Sequence, residues 1–211
     1  MASSNTPRRP ANRNQQRTDR NADIVLCAAV IAMGLSAGLL CAFTIAVMPG
    51  LTAADDRTLV DAMQQMIVKI ENPAFFLIFL GAPVLAAVAL VQTRRSQARG
   101  SQARGSQARR SDSTRTAGWI VAGLAFYTLT LVVTFTVHVP LNYDLKEAGD
   151  PALIKDLAAV RDDFVTPWVA WDIVRTLASI VAFGSLTWAL VLRGRTGHAE
   201  RPQQTEGHVR S

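Results

Sequence analysis

This chain is poor in the residues on which most enzyme chemistry depends. Its 211 residues include three histidines and two cysteines, 18% charged residues and 7% aromatics. Two of the histidines, His198 and His208, lie in the polar C-terminal stretch, which leaves His138 alone in the body of the chain. Zinc takes three or four ligands, and one histidine with scattered carboxylates does not supply them, so no metal site is expected. Cys27 and Cys41 stand fourteen residues apart, about 21 Å along a helix at 1.5 Å per residue, well beyond disulfide reach. There is no Cys-x-x-Cys pair, hence no thiol-redox motif. A Gly-rich phosphate loop, a Ser-His-Asp arrangement and a dinucleotide fingerprint are also missing.

Charge is absent altogether from three long runs, Ile24–Met48, Pro73–Gln92 and Ala117–Val139, and from a fourth, Thr176–Leu192, that follows a single arginine. About twenty apolar residues in a helix cross the hydrocarbon core of a bilayer. A backbone in lipid must satisfy its own hydrogen bonds, which selects the helix. The expected fold is therefore all-α: an integral membrane four-helix bundle occupying residues 23–192, with spans at 24–48, 73–92, 117–139 and 173–192. At 25 residues the first run is too long for a cleavable signal peptide.

The net charge of +6 and pI near 10.1 would suggest nucleic acid in a soluble protein. Here the arginines flank the spans and no aromatic-basic interleaving occurs, so the expected partner is the lipid bilayer and no nucleic acid. Lys and Arg alternate along the chain: five in the N-terminal tail, two in Pro49–Asn72, seven in Thr93–Thr116, three in Pro140–Asp172 and four in the C-terminal tail. Positive charge marks the cytoplasmic side. Both termini and the second loop are expected inside the cell membrane, with loops one and three outside. The second loop, 93–116, carries Ser-Gln-Ala-Arg-Gly at Ser96–Gly100 and Ser101–Gly105 and nearly again at Ser106–Arg110. Without large apolar residues it reads as a disordered basic linker, and the tails at 1–22 and 193–211 read likewise.

The outer loops are patterned. Thr52 with Asp55 reads as a capping box, followed by Leu59, Val60, Met63, Ile67 and Ile70 at helical spacing. Asn72-Pro73 reads as the N-cap and first position of span two, and Pro83 as a kink within it. In the third loop, Asp150-Pro151 opens a second amphipathic helix bearing Leu153, Leu157 and Val160, and Thr166-Pro167 restarts the chain as span four. Pro49 and Pro140 are 91 residues apart, and Pro73 and Pro167 are 94 apart, a spacing that suggests two related hairpins about an axis along the membrane normal. Gly34 and Gly38 form a GxxxG pair for close helix packing, read as internal rather than dimeric.

Polar residues gather at the outer boundary. Arg175 lies a few residues into span four, where an arginine costs roughly 2.5–3.5 kcal/mol at full depth and less where it snorkels. Asp172 is three residues earlier, on the same helix face, near Trp168 and Trp171. One reading is an aromatic belt with a snorkelling arginine; the other is a pocket wall with Arg175 aimed at an anionic or carbonyl group. His138 stands just before Pro140 and Asn142, as a structural hydrogen-bonding group or as a proton acceptor.

Several fragments together resemble the anthrone-oxygenase-like family of small membrane proteins. They are Met48-Pro49-Gly50-Leu51, Ala62-Met63-Gln64, Asn72-Pro73, Val139-Pro140-Leu141-Asn142 and Trp168-x-x-Trp171-Asp172-x-x-Arg175. Their order covers residues 24 to 192. Two positions depart from that family's usual pattern, which more often has Asn at Asp172 and often Asn at His138. The resemblance implies oxidation of a hydrophobic aromatic of the anthrone type, with dioxygen as co-substrate and no cofactor. It implies His138 as base, Arg175 as oxyanion stabiliser, Gln64 and Asn142 as orienting groups, and Trp168 and Trp171, beside Asp172, as a stacking surface. The alternative is a non-enzymatic scaffold, accessory subunit or small-molecule binder. The oligomeric state is not legible.

The expected orientation is tested with single cysteines in a background lacking Cys27 and Cys41. A membrane-impermeant thiol reagent applied to intact cells is expected to label position 61 or 150 and to label position 101 only after lysis.

Overall fold

The computed structural model describes the backbone of residues 13–102 and 107–198 and the side chains of residues 20–98 and 111–195. Among the described residues the chain is helical with no strand. Four stretches are long and apolar enough to cross a membrane: Arg20–Thr52, Pro73–Ala98, Ser111–Glu147 and Leu157–Arg195. Among the described residues there are seven α-helices, of which all but α3 contribute to these stretches: α1 (Arg13–Ala42), α2 (Met48–Thr52), α3 (Asp56–Ile70), α4 (Pro73–Gln102), α5 (Gln107–Val133), α6 (Val139–Glu147) and α7 (Leu157–His198). Two π-helical segments, Phe43–Val47 and Thr134–His138, join α1 to α2 and α5 to α6 without a break.

The long helices outrun the apolar runs. Helix α1 begins inside the segment read as a tail, and α4 and α5 continue into the segment read as a linker. Gln, Ala and Arg are strong helix formers even where nothing apolar needs burial. Residues 1–12, 103–106 and 199–211, which hold the rest of the expected tails and linker, lie outside the described residues.

Helix α1 packs on α4 and α7, and α5 packs on the same two. Leu26, Met33, Phe79, Ile120, Tyr127 and Leu186 fill the space between them, with alanines at Ala29, Ala82, Ala86, Ala89, Ala182 and Ala189 where the helices come close. Small residues permit such approach where lipid supplies no hydrophobic drive between helices. A Cβ at Gly123 would lie 3.1 Å from Leu186 Cγ and 3.2 Å from the Ala182 carbonyl oxygen, so the α5–α7 crossing is close enough there that a side chain would push its neighbours back by a few tenths of an ångström. Of the GxxxG pair, Gly34 abuts the Phe183 ring and Gly38 faces open space; half of that motif serves packing. Large apolar side chains such as Ile31, Ile45, Leu77 and Leu177 are more than half exposed around the outside. An apolar girdle of this kind belongs in lipid, and the chain is a membrane protein.

Pro83 sits inside α4. Its missing N–H orphans the carbonyl four residues back, that of Phe79, and the Tyr127 hydroxyl of α5 donates to this oxygen at 2.8 Å. Tyr127 is fully buried, so a helix defect and a buried hydroxyl satisfy each other.

One end of the spans carries a cap with its own core, built by Met48, Leu59, Val60, Met63, Ile67, Leu145, Phe164 and Trp168. Helix α3 starts at Asp56 with Asp55 as N-cap, three residues later than the Thr52 start read from sequence. Thr58 donates its backbone N–H to Asp55 Oδ1 at 3.0 Å and its hydroxyl to Oδ2 at 2.6 Å, which holds the Asp55 carboxyl below the usual carboxylate range. Thr52 instead closes α2, its hydroxyl donating to the Met48 carbonyl at 2.9 Å. Arg161 of α7 clamps the loop between α2 and α3, donating to Asp56 Oδ1 and to the Thr52 carbonyl, both at 2.6 Å.

Asn72-Pro73 behaves as read: Asn72 Oδ1 accepts from the Phe75 N–H at 3.0 Å and Pro73 opens α4. Thr166-Pro167 does not. The turn at 151–153 leads to Asp156, whose carboxylate accepts the Ala159 N–H at 3.0 Å, and α7 then runs unbroken through Pro167. Phe164 and Trp168, on either side of Pro167, are both buried in the cap, and this packing offsets the roughly 3 kcal/mol that an interior proline costs. Thus the third loop's amphipathic helix is the first three turns of α7, and Leu153 is exposed. The two halves correspond at the corner, where the π segments share the 91-residue spacing of Pro49 and Pro140, and part company after it.

Tyr127→Phe should lower the thermal stability of purified protein in detergent by about 1–3 kcal/mol, the cost of leaving a buried carbonyl unsatisfied. Pro83→Ala, which restores an N–H to the Phe79 carbonyl, should remove most of that loss in the double variant.

Candidate functional site

The site grows out of the second π–Pro corner. Pro140 can neither donate to the carbonyl four residues back nor avoid its bulk. The wider π turn ahead of it, Thr134–His138, gives the backbone slack, and such turns recur at functional positions. The last residue of that turn is His138, whose side chain turns inward and is 1% exposed. Its Nδ1 lies 3.4 Å from the Val133 carbonyl oxygen, and its ring meets Trp168 edge-on at 5.1 Å between centroids. The buried Nε2 has no hydrogen-bond partner among the described residues. One turn further, Asn142 Oδ1 accepts from Trp168 Nε1 at 3.1 Å, which fixes the indole.

Arg175 projects from α7 next to that indole, with its Cζ 5.2 Å from the Trp168 ring centroid. Its Nε donates to Asp172 Oδ1 at 2.8 Å. Asp172 is buried at 1% exposure, and its other oxygen accepts the Thr44 hydroxyl at 2.6 Å. The Thr44 and Thr176 hydroxyl oxygens lie 3.0 Å apart. Thr44 belongs to the first π segment, so the network ties the two π-containing rods to α7 at one level. Thr130 donates to the Arg175 backbone carbonyl at 3.2 Å. The terminal nitrogens of Arg175 have no hydrogen-bond partner among the described residues. A guanidinium held by Nε alone keeps its two-pronged end for something else.

A cavity of about 270 Å³ lies where the membrane-spanning core meets the cap. His138, Asn142, Trp168 and Arg175 line it on one side, and Phe43, Met63, Met66, Phe75 and Phe79 line it elsewhere. This volume is near the lower end for ligand pockets, about 300 Å³. The pattern of an apolar wall with a few converging polar groups is that of a small-molecule site. The guanidinium N–H groups suit an anionic or ketone oxygen, and with Nδ1–H on the Val133 carbonyl the other imidazole nitrogen is an acceptor.

Four of the seven residues singled out in the sequence therefore share this cavity: His138, Asn142, Trp168 and Arg175. Asp172 stands behind Arg175 and orients it without lining the space. Gln64 and Trp171 do not line it. The Gln64 amide nitrogen donates to the carbonyls of Leu145 and Gly149, at 2.8 and 3.0 Å, and pins α3 to the end of α6. Trp171 is 43% exposed on the outside of α7, because one residue's step from the buried Asp172 turns it about 100° away from the core. Sequence reading missed Thr44 and Thr176, whose hydroxyls look like any others in a membrane helix. It also missed Phe75 and Phe79, which read only as apolar filling; their 5.1 Å stacked pair forms a flat wall.

A family model described as anthrone oxygenase matches residues 75–185, more than half of the chain. No curated protein and no solved structure matches it. The matched stretch contains His138, Asn142, Trp168, Asp172 and Arg175.

Asp172→Ala leaves Arg175 as an uncompensated buried charge and should cost about 3–5 kcal/mol. Thr44→Val should cost about 1–3 kcal/mol, and the surface change Trp171→Phe less than about 0.5 kcal/mol. Thermal unfolding in one detergent ranks the three.

Proposed function

Because the chain belongs to the anthrone oxygenase family, we propose that it oxidises a flat, hydrophobic aromatic ketone of the anthrone type with dioxygen in the cavity at the capped end of its spans. The observation that carries this reading is that His138 and Arg175, whose Nε2 and terminal nitrogens have no hydrogen-bond partner among the described residues, line one largely apolar space.

The chemistry needs little from the protein. An anthrone carries a methylene between two aromatic rings, opposite a ketone. With Nδ1–H of His138 donating to the Val133 carbonyl, Nε2 holds the lone pair and takes a methylene proton. The electrons move to the ketone oxygen, and Arg175 stabilises the resulting oxyanion. Asp172 and Thr44 hold the guanidinium in place, so no reorganisation is required when charge develops. The enolate is electron-rich enough to reduce dioxygen directly: a C–O bond forms at the former methylene carbon, and protonation by the His138 imidazolium yields a hydroperoxide. Loss of the second proton from that carbon breaks the O–O bond and releases water. The sum is anthrone plus dioxygen to anthraquinone plus water, with no further cofactor proposed. Trp168 and the Phe75–Phe79 pair supply flat apolar walls, and the Asn142 amide nitrogen is free to orient a substrate oxygen.

The arginine distribution supports cytoplasmic termini in the cell membrane and a capped end facing outward. In that orientation, the reaction takes place near the outer leaflet.

Purified protein in lipid vesicles should convert an anthrone to its anthraquinone faster than vesicles alone, followed by absorbance and oxygen uptake. His138→Ala should lower kcat by about 10²–10⁴-fold and Arg175→Ala by about 10²–10³-fold. Unchanged rates in both variants would refute the role assignment. Tight binding without turnover would favour a small-molecule binder.

A further inference from the structure

We propose that this cavity exchanges its ligand with the bilayer through a lateral window between α4 and the second π–Pro corner, so that the substrate class is an aromatic dissolved in the membrane rather than in water. The inference rests on the reading that the cavity is the ligand site.

The cavity wall differs from side to side. Toward the cap and the core it is made of Met63, Ile67, Phe79 and Trp168, all 2–4% exposed. Toward the outside it is made of Phe76 and Leu80 of α4, with Phe135 and Val139 of the corner. These four line the cavity and are also 45%, 38%, 54% and 47% exposed. A side chain that touches both spaces is a partition one residue thick. The packing fits an opening there: α4 packs on α5 along the spans, whereas the second π segment, beyond its chain neighbours, packs on α7. All four partition residues are apolar and belong to helices long and apolar enough to cross a membrane, so in the proposed placement the space they face is hydrocarbon.

The ionisable groups sort the routes. Glu71 lines the cavity at its edge and is exposed beside Asn72, at the break between α3 and α4. Arg175 and His138 lie on the buried side, at 8% and 1% exposure. An anionic solute entering past Glu71 meets a carboxylate first, whereas a neutral, flat, apolar molecule leaving lipid meets only Phe, Leu and Val before its ketone reaches the guanidinium. Such a molecule is already concentrated in the bilayer by the hydrophobic effect. The unpartnered end of Arg175 marks where its ketone comes to rest, with the opposite carbon toward His138.

The test uses full-length protein in phosphatidylcholine vesicles, with Trp119, Trp171 and Trp188 changed to Phe so that Trp168 reports on the cavity. The probe is 9,10-anthraquinone, and saturable quenching of Trp168 is followed by stopped flow. Leu80→Phe and Val139→Phe narrow the window; they should slow association and dissociation together, each several-fold and by more than any change in Kd. Saturable quenching also shows that these variants are folded. Leu177→Phe, on an exposed face away from the cavity, should leave both rates unchanged, and Glu71→Phe, at the aqueous edge, should change them less than either window variant. Slowing by Glu71→Phe alone, or unaltered rates in both window variants, overturns the lateral route while leaving the site standing. If anthraquinone gives no saturable quenching before any window variant is made, the site reading itself fails and the window with it.

Discussion

The pair formed by Asp172 and Arg175 is the contact on which the site depends. Two opposite charges are buried at the same level of α7, where solvent is scarce and an unpaired ion is expensive. Asp172 divides its two oxygens between Arg175 on its own helix and Thr44 on the rod containing α1. This division turns a local ion pair into a tie between helices far apart in sequence. It also leaves the outer end of the guanidinium uncommitted. The same geometry that neutralises the buried charge thus leaves two N–H-rich nitrogens uncommitted on a residue that lines a largely apolar cavity.

Proline organises the rest. Each of the two continuous rods widens into a π turn just before a proline, and the second widening swings His138 inward beside Trp168. Within α4, Pro83 would leave a carbonyl unpaired in a setting without water, and Tyr127 repairs it from the neighbouring helix. Pro73 ends one element and opens another, whereas Pro167 is absorbed into a helix because Phe164 and Trp168 are anchored in the cap on either side of it. A proline's local preference is constant; what surrounds it decides whether the chain breaks, widens or continues.

The membrane-spanning character was legible because it needs only composition over about twenty residues. The Asn72-Pro73 start was legible because capping is a contact between near neighbours. The start of α3 was misplaced by three residues, since Thr52 and Asp55 both carry capping chemistry and only the path of the chain chooses between them. The break expected at Thr166-Pro167 failed because burial of Phe164 and Trp168 is a long-range fact. At the site, His138, Asn142, Trp168 and Arg175 stood out as polar or aromatic groups at the edge of apolar runs. Gln64 and Trp171 stood out for the same reason, yet one serves as a strut between α3 and α6 and the other faces outward. Nothing in the order of residues marks Thr44 as the partner of a carboxylate 128 positions away.

By itself, the sequence determined that this protein is a helical membrane protein with four spans and two proline-marked corners, because apolar run length and proline stereochemistry act locally. Only the tertiary structure decided which polar residues meet. Convergence of His138 with Arg175, the Thr44 tie behind Asp172 and the one-residue partition toward lipid all depend on how α1, α4, α5 and α7 lean on one another. That leaning is set by small residues and buried hydrogen bonds between helices, which a linear reading does not contain.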